Sequence, residues 1–135
     1  MLIGNYFKNV NLSFKNHRFS GLSFNSNNCK KNYIFFAIKG NNLNGNKFIN
    51  HAINKGAKTV VSNIKYEGFK KDVLFLRTNN VRRLLSETVS KIYRKKPKNL
   101  VAVTGTNGKS SIADFYLQIL KLNKKKVASI GTLGV

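Results

Sequence analysis

Short apolar runs alternate with polar stretches rich in Asn and Lys along most of this chain. The run Tyr33-Ile34-Phe35-Phe36-Ala37-Ile38 has the length and composition of a buried central strand. It falls far short of the ~18–20 residues a membrane-spanning helix needs. A turn-rich loop with two glycines, residues 39–45, follows it. Phe48, Ile49, Ala52 and Ile53 then recur at helical spacing, and Gly56 stands where a left-handed C-terminal cap belongs. Thr59-Val60-Val61-Ser62 and Val73-Leu74-Phe75-Leu76 read as two more strands. Residues 1–20 are weakly patterned and predict loop around one short element.

A longer amphipathic helix is predicted over residues 81–93. Val81, Leu84, Leu85, Val89, Ile92 and Tyr93 share one face, and Asn79 or Asn80 can cap its start. The only proline, Pro97, lies in the basic stretch that ends this pattern and marks a domain boundary. Beyond it, Leu100-Val101-Ala102-Val103 predicts a strand, and residues 110–122 a helix with Ile112, Phe115, Tyr116, Ile119 and Leu120 turned inward. Val127-Ala128-Ser129-Ile130 predicts the next strand. The alternation is that of an α/β protein with a parallel sheet. It divides into residues 1–96, a small first domain, and residues 97–135, the first βαβ of a second. One βαβ unit cannot cover both faces of such a sheet, so the second domain reads as incomplete.

Composition narrows the class. The chain has 135 residues, 41% of them hydrophobic, which supports a packed core and excludes disorder. Its single cysteine, Cys29, rules out an internal disulfide and a multi-Cys zinc site. The start has neither the charge order nor the cleavage site of a signal peptide, so a cytoplasmic protein away from the membrane is expected. Lys and Arg total 25 against 4 acids, a net charge of +21. Such a balance suits polyanionic partners. Here, however, the lysines are scattered among asparagines, and no aromatics interleave with the clusters at residues 94–98 and 124–126. The excess reads as compositional bias on solvated faces, with no specific nucleic-acid partner expected. It would still attract phosphorylated ligands.

The candidate chemistry is concentrated in Gly105-Thr106-Asn107-Gly108-Lys109-Ser110, between the predicted strand and the predicted helix. Phosphate oxygens need converging N–H donors, and a Cβ obstructs their approach. Glycines at 105 and 108 remove that obstruction, and the helix start adds amides and partial positive charge. Lys109 would reach the β- and γ-phosphates of a nucleotide, and the Ser110 hydroxyl would bind Mg²⁺. Only two residues separate the glycines, where the general phosphate loop has four. The plainer alternative, an Asn-Gly turn before an ordinary helix, leaves the coincidence of strand, glycines, lysine, hydroxyl and helix without a cause.

The stretch Val103-Thr104-Gly105-Thr106-Asn107-Gly108-Lys109-Ser110-Ser111 closely resembles the ATP loop of the Mur ligases, which build the peptide of bacterial cell-wall precursors. Folylpolyglutamate synthetases share the core but usually continue with Gly-Ser instead of two hydroxyl residues. The resemblance is strongest to the members that add the third residue of the peptide. It extends to Ile130-Gly131-Thr132-Leu133-Gly134, to residues 34–56 and to the helix at 81–93. It implies ATP contacts at Gly105, Thr106, Asn107, Gly108, Lys109, Ser110 and Ser111, catalytic charge from Lys109, and Mg²⁺ at Ser110. It also implies that Phe24 and Ser26, with Asn41, Asn42 and Leu43 on a second loop, contact the UDP part of UDP-MurNAc-L-Ala-D-Glu. Where the family carries Asp-Ser-Arg, this chain has Asn25-Ser26-Asn27, so both charges are gone; these five positions also read as ordinary loop residues.

The implied reaction is an ATP-dependent ligation in a monomeric enzyme. The D-Glu γ-carboxylate is phosphorylated, the amine of an incoming diaminopimelate or lysine attacks the acyl phosphate, and phosphate leaves. The rest of that machinery would lie beyond Val135, so the chain is expected to be an N-terminal fragment or truncated product without ligase activity of its own. The alternatives are a folate-directed ligase, a non-catalytic UDP-sugar- or nucleotide-binding remnant, and a basic nucleic-acid-binding module. His51, His17 and Asp114 read as helix-packing or solvated residues, and Cys29 has no partner that would make it a nucleophile.

Overall fold

The computed structural model describes residues 1–131. Two compact units divide the chain, Met1–Lys95 and Lys96–Val135.

The first unit is a five-stranded sheet with helical cover. In chain order it contains α1 (Ile3–Tyr6), β1 (Gly21–Ser23), β2 (Tyr33–Phe36), α2 (Ile49–Asn54), β3 (Ala57–Ser62), β4 (Gly68–Lys70), β5 (Val73–Arg77) and α3 (Val81–Ile92). The spatial order is β1-β2-β3-β5-β4. β1, β2, β3 and β5 run parallel, and only β4, joined to β5 as a hairpin, runs against them. Two strands escaped the sequence pattern, β1 and β4. Each has three residues, too few for an alternation to show, and both lie at the sheet edges.

Side chains alternate across a strand, so β2 feeds both faces of the sheet. Ile34 and Phe36 join Ile3, Phe7, Phe19, Val61, Leu74, Leu76 and Val81 in one core cluster. Phe35 and Ala37 join Cys29, Ile49, Ala52, Ala57, Val60 and Val73 in the other. The N-terminal segment and α3 thus cover one face, and α2 the other, as a mainly parallel sheet requires. Along β2 and β3 the register slips once. Tyr33 pairs with Ala57 but Ile34 pairs with Thr59, leaving Lys58 as an extra residue. That bulge exchanges the faces, which is why Ala57 and Val61 reach opposite clusters.

The helix ends follow local chemistry. The Asn80 side chain accepts from the Arg83 amide at 2.9 Å and starts α3. Gly56, with φ +106°, donates to Ile53 O at 2.8 Å and closes the turn after α2. Thr88 is fully buried on α3, and its hydroxyl donates to Leu84 O at 2.7 Å. His17, expected in solvent, is half-buried with its ring edge-on to Phe69 at 5.6 Å.

The second unit is built around α4 (Lys109–Leu122). The strands expected over residues 100–103 and 127–130 are not formed there. A strand is stable only with a neighbour that bonds its backbone, and neither stretch has one among the described residues. The face of α4 expected to turn inward is correspondingly open: Phe115 is 63% and Ile119 56% exposed, and only Leu120 of that set is half-buried. Thr132, Leu133 and Gly134 of the glycine-containing C-terminal motif lie outside the described residues.

Candidate functional site

Gly108 is the N-cap residue of α4, in the left-handed conformation at φ +75° and ψ −4°, and no side chain caps this helix end. A side chain with a Cβ enters that conformation only with strain, so glycine is selected there. A Cβ built on Gly108 would meet nothing within 4 Å, so the space over the helix start is open. Gly105 also has positive φ, at +147°. Between them the chain turns tightly enough that Ile112 N, the first amide of the helical ladder, bonds Gly108 O at 2.9 Å. In general the first amides of an α-helix have no acceptor within the helix itself.

Lys109 arches back over the turn. Its ammonium donates to Gly105 O and, at 3.0 Å, to Thr106 O. One cation and a helix N-terminus therefore converge on the same few ångströms of backbone. Thr106, Asn107, Ser110 and Ser111 are exposed around it. Asp114, one turn further on, accepts from Gln118 Nε2 at 2.6 Å. No group of three or more His, Cys, Asp or Glu side chains gathers among the described residues.

In the first unit the other candidates lie on loops that leave the carboxyl ends of neighbouring parallel strands. Phe24 and Ser26 follow β1; Asn41, Asn42 and Leu43 follow β2. Ligands of open α/β sheets bind outside this edge. Phe24 and Leu43 are 67% and 65% exposed, whereas Ser26 is buried at 7%. Ser26 opens a 3-10 turn capped by Asn25, whose side chain accepts from Asn27 N at 2.9 Å. The loop at 41–43 has a closed base: Gly40 N bonds Leu43 O at 2.8 Å and Gly45 N bonds Ile38 O at 2.9 Å.

Sequence reasoning missed the concavity beside these residues. It has a volume of about 540 Å³ and is lined by Leu22, Ser23, Phe24, Asn27, Asn28, Cys29, Lys30 and Tyr33. Tyr33 read only as the first residue of a buried strand, and nothing in its neighbourhood signalled a wall. Cys29 is buried there, and desolvation raises its thiol pKa, opposed by a hydrogen bond with the Ser23 side chain. A raised pKa leaves a thiol, not the nucleophilic thiolate.

Residues 18–104 match the Mur ligase family, catalytic domain. The chain belongs to the Mur ligase family. It is 48% identical over 127 residues to the UDP-N-acetylmuramoyl-L-alanyl-D-glutamate–2,6-diaminopimelate ligase of Rickettsia prowazekii, covering 94% of this chain and 26% of that protein. The protein of the same name from Clostridium tetani is 40% identical over 117 residues, covering 83% of this chain and 24% of the relative. The chain spans about a quarter of the length of these relatives. Among solved structures, a UDP-N-acetylmuramoyl-L-alanyl-D-glutamate–2,6-diaminopimelate ligase shares the fold with a TM-score of 0.73 at 23% identity, over 99% of this chain and 28% of that one. MurF ligase from Thermotoga maritima in complex with ADP aligns over 86% of this chain and 26% of its own, with a TM-score of 0.65 at 22% identity. No described helix is long and apolar enough to cross a membrane.

Proposed function

We propose that this chain supplies the uridine-nucleotide end and the phosphate loop of an ATP-dependent amide ligase that joins diaminopimelate to UDP-MurNAc-L-Ala-D-Glu in cell-wall precursor synthesis. Residues 1–96 form the part that holds the UDP-linked substrate, and residues 97–135 open the ATP-binding domain. The enzyme works as a monomer in the cytoplasm. One observation carries the reading: a left-handed Gly108 opens α4 beside the Lys109 ammonium, in a chain nearly half identical to ligases named for this reaction.

Bound ATP supplies the phosphoryl group that turns a carboxylate into an acyl phosphate with a leaving group. The residues present here bind and orient. The helix start and the amides at 105–108 receive phosphate oxygens, and Lys109 turns from neutral carbonyls to charged acceptors, which attract its ammonium more strongly. Two anions, carboxylate and triphosphate, must be held together, and the lysine offsets part of their repulsion. Ser110 would hold Mg²⁺, which would offset more of that charge. Phe24, Ser26, Asn41, Asn42 and Leu43 hold the UDP portion at the carboxyl edge of the sheet. The one-quarter span supports the reading that ligation needs more chain than these residues.

Titration calorimetry with Mg²⁺–ATP tests the loop. Binding by the wild-type chain that weakens at least about tenfold in Lys109→Ala is expected, the loss of a charge-assisted contact. Equal affinity in the two proteins would remove the phosphate-loop reading.

A further inference from the structure

We propose that the amino edge of the five-stranded sheet is a docking surface for an anionic lipid bilayer, with Lys31, Lys55, Lys70 and Lys71 meeting the headgroups and Phe69 entering the interface beside them. The inference does not rest on the function proposed above, whose residues lie at the carboxyl edge of the sheet or in the second unit.

Along the sequence the lysines are scattered, but the fold gathers some of them. Because β1, β2, β3 and β5 run parallel, the segments that enter these strands share one edge. Lys31 precedes β2, Lys55 precedes β3, Lys70 ends β4 and Lys71 lies in the turn into β5; all four are exposed. Asn32 N donates to Gly56 O at 2.8 Å, and a Cβ on Gly56 would stand 2.9 Å from Lys31 Cα, so the segments carrying Lys31 and Lys55 lie against each other. Lys58, near the start of β3, faces Asp72, just before β5, at 3.9 Å. Neighbouring strands are ~4.8 Å apart, so these three strand starts span about one Debye length at physiological salt and their cations act together.

The positive charge on this edge is largely uncompensated. Of the four acids only Asp72 lies here, and Lys58 answers it. Glu67 lines a hollow with Arg77, Thr78 and Asn79 at the carboxyl end of β5, Glu87 bonds Arg83 on α3, and Asp114 is on α4. Apolar groups stand at one end of the row. Phe69, next to Lys70, is 48% exposed, with Phe14 and His17 edge-on to its ring at 5.6 Å. Leu12, on the same 3-10 turn as Phe14, is 77% exposed. A bilayer offers anionic headgroups over an apolar layer, which suits lysines beside an aromatic wedge. A single-stranded nucleic acid would want its aromatics between the cations, where bases could stack. The contact is peripheral and needs no spanning helix.

Sedimentation of the whole 135-residue chain with vesicles tests this, using phosphatidylcholine alone and an equal mixture with phosphatidylglycerol. Two triple variants carry the same net charge. One is Lys31→Gln/Lys55→Gln/Lys70→Gln at the amino edge; the other is Lys39→Gln/Lys47→Gln/Lys65→Gln, exposed on loops that leave the carboxyl ends of β2 and β3. Partitioning onto the mixed vesicles is expected to fall at least about tenfold in the first and less than about threefold in the second. The chain has no Trp, so Phe69→Trp supplies one fluorophore and keeps a ring against Phe14 and His17. Its emission is expected to shift to the blue on mixed vesicles and to stay unchanged on phosphatidylcholine. Equal losses in the two triple variants, an unshifted Trp, or no binding by the wild-type chain overturns the proposal. So does duplex DNA bound more tightly than mixed vesicles at the same salt, with the same dependence on the amino-edge lysines.

Discussion

The Lys109 ammonium donates to Thr106 O at 3.0 Å as well as to Gly105 O, so the first residue of α4 closes the turn that precedes it. Replacing Lys109 with Met should loosen the turn without touching the sheet. Backbone ¹⁵N order parameters at residues 105–108 are expected to fall, while those of β2 and β3 keep their values. NMR relaxation reads both together.

Gly108→Ala places a Cβ in the left-handed region, at φ +75°, and over the open mouth of the helix. Backbone strain of about 1–2 kcal/mol is expected in the second unit. On the proposed phosphate loop, ATP affinity should fall along with it, because the new methyl group would obstruct the approach of phosphate oxygens. Calorimetry against Gly108→Asn, which tolerates this conformation better, separates strain from obstruction.

Gly45 sits at the base of the loop that carries Asn41, Asn42 and Leu43. A Cβ there would lie 2.6 Å from the backbone N and O of Ile38. Backbone cannot yield as a side chain does, so Gly45→Ala should destabilise the first unit by about 1–3 kcal/mol, as overpacking does. Urea unfolding followed by circular dichroism measures the loss.

Thr59 is fully buried on β3, and its hydroxyl has no hydrogen-bond partner among the described residues. Thr59→Val removes that unsatisfied group in nearly the same volume and suits the strand. A gain of about 1 kcal/mol is expected, visible as a raised thermal midpoint.

Burial lowers the pKa of His17 below 6.5, opposed by a hydrogen bond with the Lys58 backbone. The folded chain therefore binds this proton less readily than the unfolded chain. The contribution is favourable above pH about 6.5 and is lost as pH falls from there through the lowered folded value. The urea midpoint should decline across that window in wild type. His17→Phe, which keeps a ring against Phe69 but cannot titrate, should flatten this part of the profile.

Much of the first unit was legible because its elements announce themselves locally. The run at 33–38, the helical spacing of Val81, Leu84, Leu85 and Ile92, and the caps Asn80 and Gly56 each act within a few residues. β1 and β4 were not legible, because three-residue edge strands exist only through their partners. The bulge at Lys58 was equally hidden; pairing with β2 creates it. In the second unit the pattern predicted strands at 100–103 and 127–130, but apolar composition alone does not form a strand without a neighbour to bond.

The amino-acid order by itself determined the glycine loop, its lysine and the family, since a cradle for phosphate is built from contiguous residues and short-range backbone geometry. Only the tertiary structure brought Phe24, Asn27, Lys30 and Tyr33 around one hollow and set the loops after β1 and β2 on the same edge. Parallel pairing decides that juxtaposition, and strand partners and register are long-range choices that no local pattern of side chains encodes.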